Sequence, residues 1–534
     1  MSTFDTSQPD NLTYQNEVVQ LTVLGGIKLE GLDRMRATLK IERKKSTRPA
    51  LRHNLDLYND TQVDKLTRKA AEKLEIGTSV VATSLAELTE QLEAWRLSQI
   101  KENQQEVYQS PALTPSEVRD AQAFLEESSL LERTNELIGQ SGVIGEKTNR
   151  LLMYLIFTSR KREQPLHVVS LGASGTGKTH LQEKVGELIP EQDKVEITTL
   201  SENAFYYFGQ QELRNKLILI EDLDGAESSL YPLRELQSKK RISKTVAHKN
   251  TKGETQTIHL VVEGPVSVSG CTTKEQIYED NANRSFLLYL DESPEQDQRI
   301  MDYQRKVSAG KINQEEEQAA ATLLRNTQRL LEPIKIVNPF AEQLDIPQEV
   351  FKPRRTNSHY LQFIEVVTFY HQLQREQKVN KATGEVFIET TLEDIAAANS
   401  LLKETLLRKS DELSGAVRNY FEQLKIWLKA KGKKQFKNQE ARKALRVSQS
   451  QQKRYMVQLQ IEGLVLKAVQ EKGNQKKGFV YQVINEKEYE ALKQRIESVL
   501  DEALEKLKPE EAVQQTKAVR STKRTASSQA QQEK

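Results

Sequence analysis

The chain has 534 residues, 37% hydrophobic and 29% charged, which allows about two to four domains with real cores. Its 78 basic and 76 acidic residues leave a formal charge of +2, so a nucleic-acid surface must come from local clusters and not from a global field. One cysteine, Cys271, and seven histidines exclude a disulfide framework and offer no spacing for structural zinc, pointing to a reducing cytoplasm. No apolar run approaches membrane-spanning length, and the opening MSTFDTSQPDNLTYQ lacks a basic then apolar leader.

In chain order, residues 16–42 alternate like short strands and residues 60–108 have helical periodicity, so 1–130 reads as a small α+β adaptor. After SPALTPSE a helical stretch enters a core, 131–300, where strand and helix patterns alternate as in a parallel sheet. A helical segment follows over 301–410, and 411–486 has the parts of a separate small domain. Residues 487–534 read as a helix and a polar tail whose end, TKAVRSTKRTASSQAQQEK, lacks the apolar residues for a core.

Inside the core, VVSLGASGTGKTHL matches the P-loop pattern at every fixed position, with a strand ending at Leu171 and a helix starting near Thr179. Gly172, Ala173, Ser174, Gly175, Thr176 and Gly177 would turn backbone N–H groups onto the phosphates of ATP. Lys178 would reach the β and γ phosphates, Thr179 would ligate Mg²⁺, and His180 would flank them. About forty residues on, KLILIEDLDG is an apolar strand ending in Glu221, Asp222 and Asp224. One acid would hold Mg²⁺ through water and the next would orient or deprotonate the attacking water. The strand GPVSVSGCTT offers Thr272 as a side chain that senses the γ phosphate. Arg284, just before the strand Phe286 to Leu290, could face the nucleotide of a neighbouring subunit.

The series P-loop, LILIEDLD, PLRELQSKKRISKTV, VSVSGCTT and NRSFLLYLDESPEQDQRI resembles the AAA+ core of the minichromosome-maintenance helicases. From about residue 30 through 480 the chain is also similar to the ATPase half of bacterial and mobile-element proteins that carry a zinc-finger and Toprim primase half, absent here. One departure is Glu221 then Asp222, where the helicase family has Asp then Glu; the swap leaves open which acid holds metal and which is catalytic. The resemblance places a channel hairpin at RISKTVAHKNTKGETQTIHLVV, with its turn near Asn250 to Gly253. Its alternating residues and Lys244, Lys249 and Lys252 would contact a DNA backbone without reading sequence. It also implies a second sensing arginine, Arg355 first and Arg354 second.

From residue 411 the pattern is that of a winged helix. Ser448 would cap a helix with Tyr455, Leu459 and Leu464 inward and Gln451, Lys453 and Arg454 outward, and strands would flank a basic turn with Lys472, Lys476 and Lys477. The expectation is thus an α/β AAA+ P-loop core with an N-terminal α+β region and a C-terminal winged helix. As a cytoplasmic homo-hexameric ring it would use ATP and Mg²⁺ to translocate on or unwind single-stranded or forked DNA in replication of a mobile element, with a primase or polymerase as partner. The alternatives are an ATP-switched DNA-binding or loading protein and, more distantly, a P-loop small-molecule kinase, against which the hairpin, Arg284 and the C-terminal domain argue.

Overall fold

The computed structural model describes residues 2–28, 34–106, 111–201, 203–226, 230–249, 255–274, 283–468 and 479–508. It forms two compact units, Met1–Pro111 with Thr245–His259, and Ala112–Lys244 with Leu260–Lys534.

The first unit holds a five-stranded antiparallel meander, β1 (Thr3–Asp5), β2 (Asn11–Gln15), β3 (Val19–Leu24), β4 (Arg36–Arg43) and β5 (Leu51–Asp56), in sequence order. Alternating residues such as Leu21, Val23, Leu39 and Ile41 are buried on one face, as a period-two pattern requires. Helices α1 (Asp60–Leu74) and α2 (Thr78–Glu106) cover that face with Leu66, Leu74, Leu85 and Leu88. The sheet is larger than the alternation over 16–42 alone indicates, because β1, β2 and β5 lie outside that window.

The second unit opens with α3 (Pro115–Leu125), α4 (Leu130–Gln140) and α5 (Lys147–Thr158). Thr114 and Glu117 form a capping box at the start of α3, satisfying N–H groups the helix leaves unpaired. The strands and helices that follow are β6 (His167–Leu171), α6 (Lys178–Gly186), β7 (Lys194–Ile197), β8 (Lys216–Ile220) and α7 (Leu230–Lys239). Next come β9 (Arg241–Lys249) and β10 (Thr255–Glu263), of which Thr245–His259 belongs to the first unit, then β11 (Val266–Thr272) and β12 (Phe286–Tyr289). Five of the strands form a parallel sheet in the order β12-β6-β11-β8-β7, while β9 and β10 pair with each other. Every residue of β6 and β11 is buried, as expected for strands covered on both faces.

The strand order decides the site. The P-loop strand β6 and the acid-bearing strand β8 are not neighbours; β11 lies between them. Thr272 pairs with Leu171 and Gly270 with Ile220, so the three carboxyl ends finish at one level. Two strand spacings put the acids about 10 Å from the P-loop strand, room for phosphate, metal and water between them.

Helices α8 (Pro294–Ser308), α9 (Gln314–Leu330), α10 (Pro353–Tyr370) and α11 (Leu392–Ser410) complete the core, with a small sheet of β13 (Lys335–Val337), β14 (Lys378–Val379) and β15 (Val386–Glu389) that the helical pattern over 301–410 does not announce. Then come α12 (Gly415–Ala430), β16 (Gln435–Lys437), α13 (Asn438–Ala444), α14 (Gln449–Ile461), β17 (Val465–Lys467) and β18 (Val480–Val483) around their own apolar cluster. Their sheet is antiparallel in the order β16-β18-β17. The last described helix, α15 (488–508), returns to the core of the second unit. Ile496, Leu500 and Leu507 are fully buried in the cluster that holds α5, α10 and α11, and Asn399 donates to the Leu500 carbonyl at 3.3 Å. Among the described residues no helix is long and apolar enough to cross a membrane.

Candidate functional site

The P-loop connects β6 to α6. Gly175 and Gly177 have φ of +85° and +90°, and Gly177 stands at the helix N-cap, so the loop takes a path that side-chain-bearing residues rarely follow. The Lys178 ammonium is largely buried and donates to the carbonyls of Gly172 at 2.8 Å and Ala173 at 2.6 Å. Its charge is held within the loop, beside the N–H groups at the start of α6, which is the arrangement that receives phosphate oxygens.

A cavity of about 370 Å³ opens there, lined by Ser174, Gly175, Gly177, Lys178, Thr179 and His180 from the loop and the start of α6, Glu221 and Asp222 just past β8, and Cys271, Thr272 and Thr273 at the end of β11. The structure therefore brings together most of the residues expected to bind nucleotide and both expected acids. Gly172, Ala173 and Thr176 form the near side of the loop through their contacts with Lys178. The residues fit Mg²⁺ as well: Thr179 supplies a hydroxyl and Glu221 and Asp222 supply hard oxygen donors across the cavity, the ligand chemistry this ion takes beside phosphates. Both acids are exposed at the cavity, so the geometry treats them alike.

Thr272 and Asp224 form a joint. The Thr272 hydroxyl donates to Asp224 at 2.6 Å and accepts the Lys274 N–H at 3.1 Å, while Thr273 donates to Asp224 through its N–H at 3.0 Å and its hydroxyl at 2.9 Å. Burial would raise the Asp224 carboxyl, but these hydrogen bonds outweigh it and hold the group below the usual carboxylate range. Thr272 thus lines the cavity with its hydroxyl engaged by Asp224, a bond that ties β11 to the loop after β8. Leu223 donates its N–H to the Cys271 carbonyl at 2.9 Å and packs where a side chain on Gly270 would stand, closing the same seam.

Two parts of the site escape the sequence pattern. Gln182, buried on α6, donates to the Ile220 carbonyl at 3.1 Å and accepts from Ser269 at 2.7 Å, tying the P-loop helix to β8 and β11. The available signal is a polar residue between Leu181 and Val185 on an inward face, which must find partners. On the other flank Glu146 accepts the Asp291 N–H at 2.7 Å, and the Glu292 carboxylate reaches within 3.4 Å of the point where Gly172 would carry a side chain. Burial raises the Glu146 carboxyl.

Arg284 and Arg355 lie elsewhere. Phe286 pairs with Val168, and Arg284 precedes it, at the opposite end of β6 from the P-loop. Five to six residues of strand place it about 15–20 Å from Gly172, beyond side-chain reach of its own nucleotide. Arg284 and Arg355 line one cavity of about 150 Å³ with Gln164, His167, Ser238 and His359, and no described residue lining it is acidic. Arg284 donates to Ser238 at 2.9 Å. Burial, then the Arg284 charge, pushes the His167 imidazole down to about 3, and burial with Lys409 lowers His359, which stacks on Phe286. Of the adjacent pair, Arg355 is the one beside Arg284; Arg354 is exposed and does not line this cavity.

Of the expected DNA contacts, Lys244 is in β9, and its ammonium lies 5.5 Å from the Tyr206 ring centre. Lys453 and Arg454 are exposed on α14, whose Ser448 and Gln451 form a capping box, with Tyr455 and Leu459 buried. Lys252, Lys472, Lys476, Lys477 and the Lys249 side chain lie outside the described residues.

A family model described as the MTBMA_p00010 P-loop domain matches residues 116–333, about two fifths of the chain. The chain carries a P-loop NTPase domain. The match runs from α3 through the end of α9 and takes in the whole parallel sheet and the cavity above it. No curated protein matches the chain.

Proposed function

We propose that this chain is an ATP-hydrolysing AAA+ motor that assembles into a ring, hexameric by the resemblance, and translocates on or unwinds DNA in the cytoplasm. The observation that carries this reading is the placement of Arg284 and Arg355 together in one cavity at the far end of β6 from the P-loop. A guanidinium pair there serves no phosphate of its own subunit and suits one presented by a neighbour. Supporting it, β11 stands between β6 and β8, so hydrolysis and the seam that follows β11 share one joint.

In this reading Gly172 to Thr179 hold the triphosphate and Lys178 leaves its loop carbonyls for the β and γ phosphates. Glu221 and Asp222 orient and deprotonate water, and Arg284 and Arg355 enter from the neighbour. Mg²⁺, when bound by Thr179 and one of the two acids, neutralises phosphate charge. The β9–β10 hairpin follows α7 directly, so a change at the β8 end can pass through α7 to Lys244. The order α12-β16-α13-α14-β17-β18 supports a winged helix, and the exposed Lys453 and Arg454 support its contact with DNA. The replication and mobile-element setting, and a primase or polymerase partner, follow from the resemblance.

The loading-protein alternative has one observation in its favour: Val457 and Ile461 are exposed at i+4 and i+8 from Lys453, an apolar end to the same helix face that suits a protein partner. Strand separation of a labelled forked duplex, with ATP hydrolysis followed in the same samples and Lys178→Ala as control, decides between them. Unwinding by the wild type alone supports the motor. DNA-stimulated hydrolysis without strand separation replaces it with the loader.

A further inference from the structure

We infer that Tyr206, Tyr207 and Tyr231, flanked by Arg234 and Lys244, form a stacking platform for single-stranded nucleic acid at the foot of the β9–β10 hairpin. This deepens the DNA-motor reading and rests on it.

The sequence AFYYFG after β7 makes one short helical turn, Ala204–Tyr207. Phe205 is fully buried, and Phe208 packs toward it with ring centres 6.1 Å apart. Phe208 and the partly buried Tyr206 pack against the same cluster, which leaves Tyr207 66% exposed. On α7, Pro232, Leu233 and Leu236 face the core, which leaves Tyr231 59% exposed with the Arg234 guanidinium 5.9 Å from its ring centre. Lys244 reaches back from β9 to the face of Tyr206. The Ala204–Tyr207 turn packs against α7, which brings Tyr206 toward Tyr231; burial first, then Tyr231 and Glu235, raise the Tyr206 hydroxyl.

Tyr207 and Tyr231 stand exposed on two elements in contact with each other, the Ala204–Tyr207 turn and α7, with the partly buried Tyr206 on the first of them. Between residues 230 and 244 stand five basic residues and a single acid, Glu235, which is paired with Lys239 at 2.5 Å. Rings open to solvent beside excess positive charge suit bases with free faces joined by phosphates. Duplex DNA hides its base faces, so the patch selects single strands. Stacking is also indifferent to base identity, as a translocating protein requires.

The test is anisotropy of labelled oligo-dT, oligo-rU and a duplex with the full-length protein across a salt series. The wild type should bind both single strands more tightly than the duplex. Tyr207→Ala and Tyr231→Ala should each weaken single-strand binding by about 5- to 100-fold at an unchanged salt slope, with Tyr→Phe at either position close to wild type. Lys244→Ala should instead lower the slope by about 0.7. ATP turnover without DNA should be unaltered by the two tyrosine substitutions, which shows the variants folded. Wild-type affinity in both alanine variants overturns the platform while leaving the motor reading intact. A loss confined to one of the two polymers overturns stacking as its basis. Failure of the wild type to bind either single strand or duplex removes the DNA reading and the platform with it.

Discussion

Asp224 and Thr272 should behave as one unit. The 2.6 Å bond between them has an ionised acceptor and a buried donor, and bonds of that kind contribute about 1.5–3 kcal/mol. Asp224 is partly exposed, which brings the expected coupling to about 1–2 kcal/mol. Thr272→Val keeps the shape and removes the hydroxyl; Asp224→Asn keeps the shape and removes the charge. Each should lower kcat for ATP about tenfold, because the joint sets the separation of β11 from the acids, and the double variant should be little worse than either single one. Affinity for a fluorescent ADP analogue should stay near wild type, since the P-loop is untouched. The carboxyl lies below the usual range in the folded protein, so its contribution is full above about pH 4 and is lost as pH falls through its lowered value. Single-turnover hydrolysis and urea unfolding of the four proteins give the cycle. Strictly additive effects, with coupling below about 0.5 kcal/mol, would refute the joint.

Cys271 is buried, and burial pushes its thiol up to about 12, so at mildly alkaline pH only about one thiol in ten thousand is ionised. Thiol reagents should label the native protein only on unfolding, and rapid stoichiometric labelling would contradict this placement. Leu500→Ala should cost about 2–5 kcal/mol in urea unfolding, because the side chain is fully buried among core residues; a neutral result would contradict the packing of α15 into that core. Burial raises the Asp394 carboxyl, but bonds from His371 and Arg375 bring it down to about 2. Against an unfolded value near 3.9 this contributes about 2 kcal/mol above roughly pH 4, lost as pH falls toward 2. The stability gap between wild type and Asp394→Asn should therefore shrink with acidification, and a gap independent of pH would contradict the pairing.

The parts of this molecule that could be read from sequence are those encoded locally. The P-loop, the apolar strand ending in Glu221 and Asp222, the two hairpin strands and the Ser448 cap each depend on a dozen residues or fewer, and each stands where its pattern puts it. What could not be read depends on contacts distant in sequence. Nothing local says that β11 passes between β6 and β8, so the bond from Thr272 to Asp224, 48 positions away, has no signal. The same holds for Gln182 reaching Ile220, and for α15 returning past α12–β18 to Asn399. Arg354 and Arg355 are equivalent as adjacent letters; helix phase brings Arg355 to Arg284. The strands of β13 to β15 are two to four residues long, too short for a period to register.

The central claim is that each nucleotide is completed by a neighbouring subunit, and subunit mixing tests it most directly. Lys178→Ala and Arg284→Ala should each abolish ATP hydrolysis alone, with nucleotide binding retained in Arg284→Ala. Mixed in equal amounts, they place an intact P-loop opposite an intact Arg284 at about a quarter of interfaces, and hydrolysis should return in that proportion. A mixture as inactive as its components, or an Arg284→Ala protein that hydrolyses ATP at the wild-type rate, would contradict the shared site.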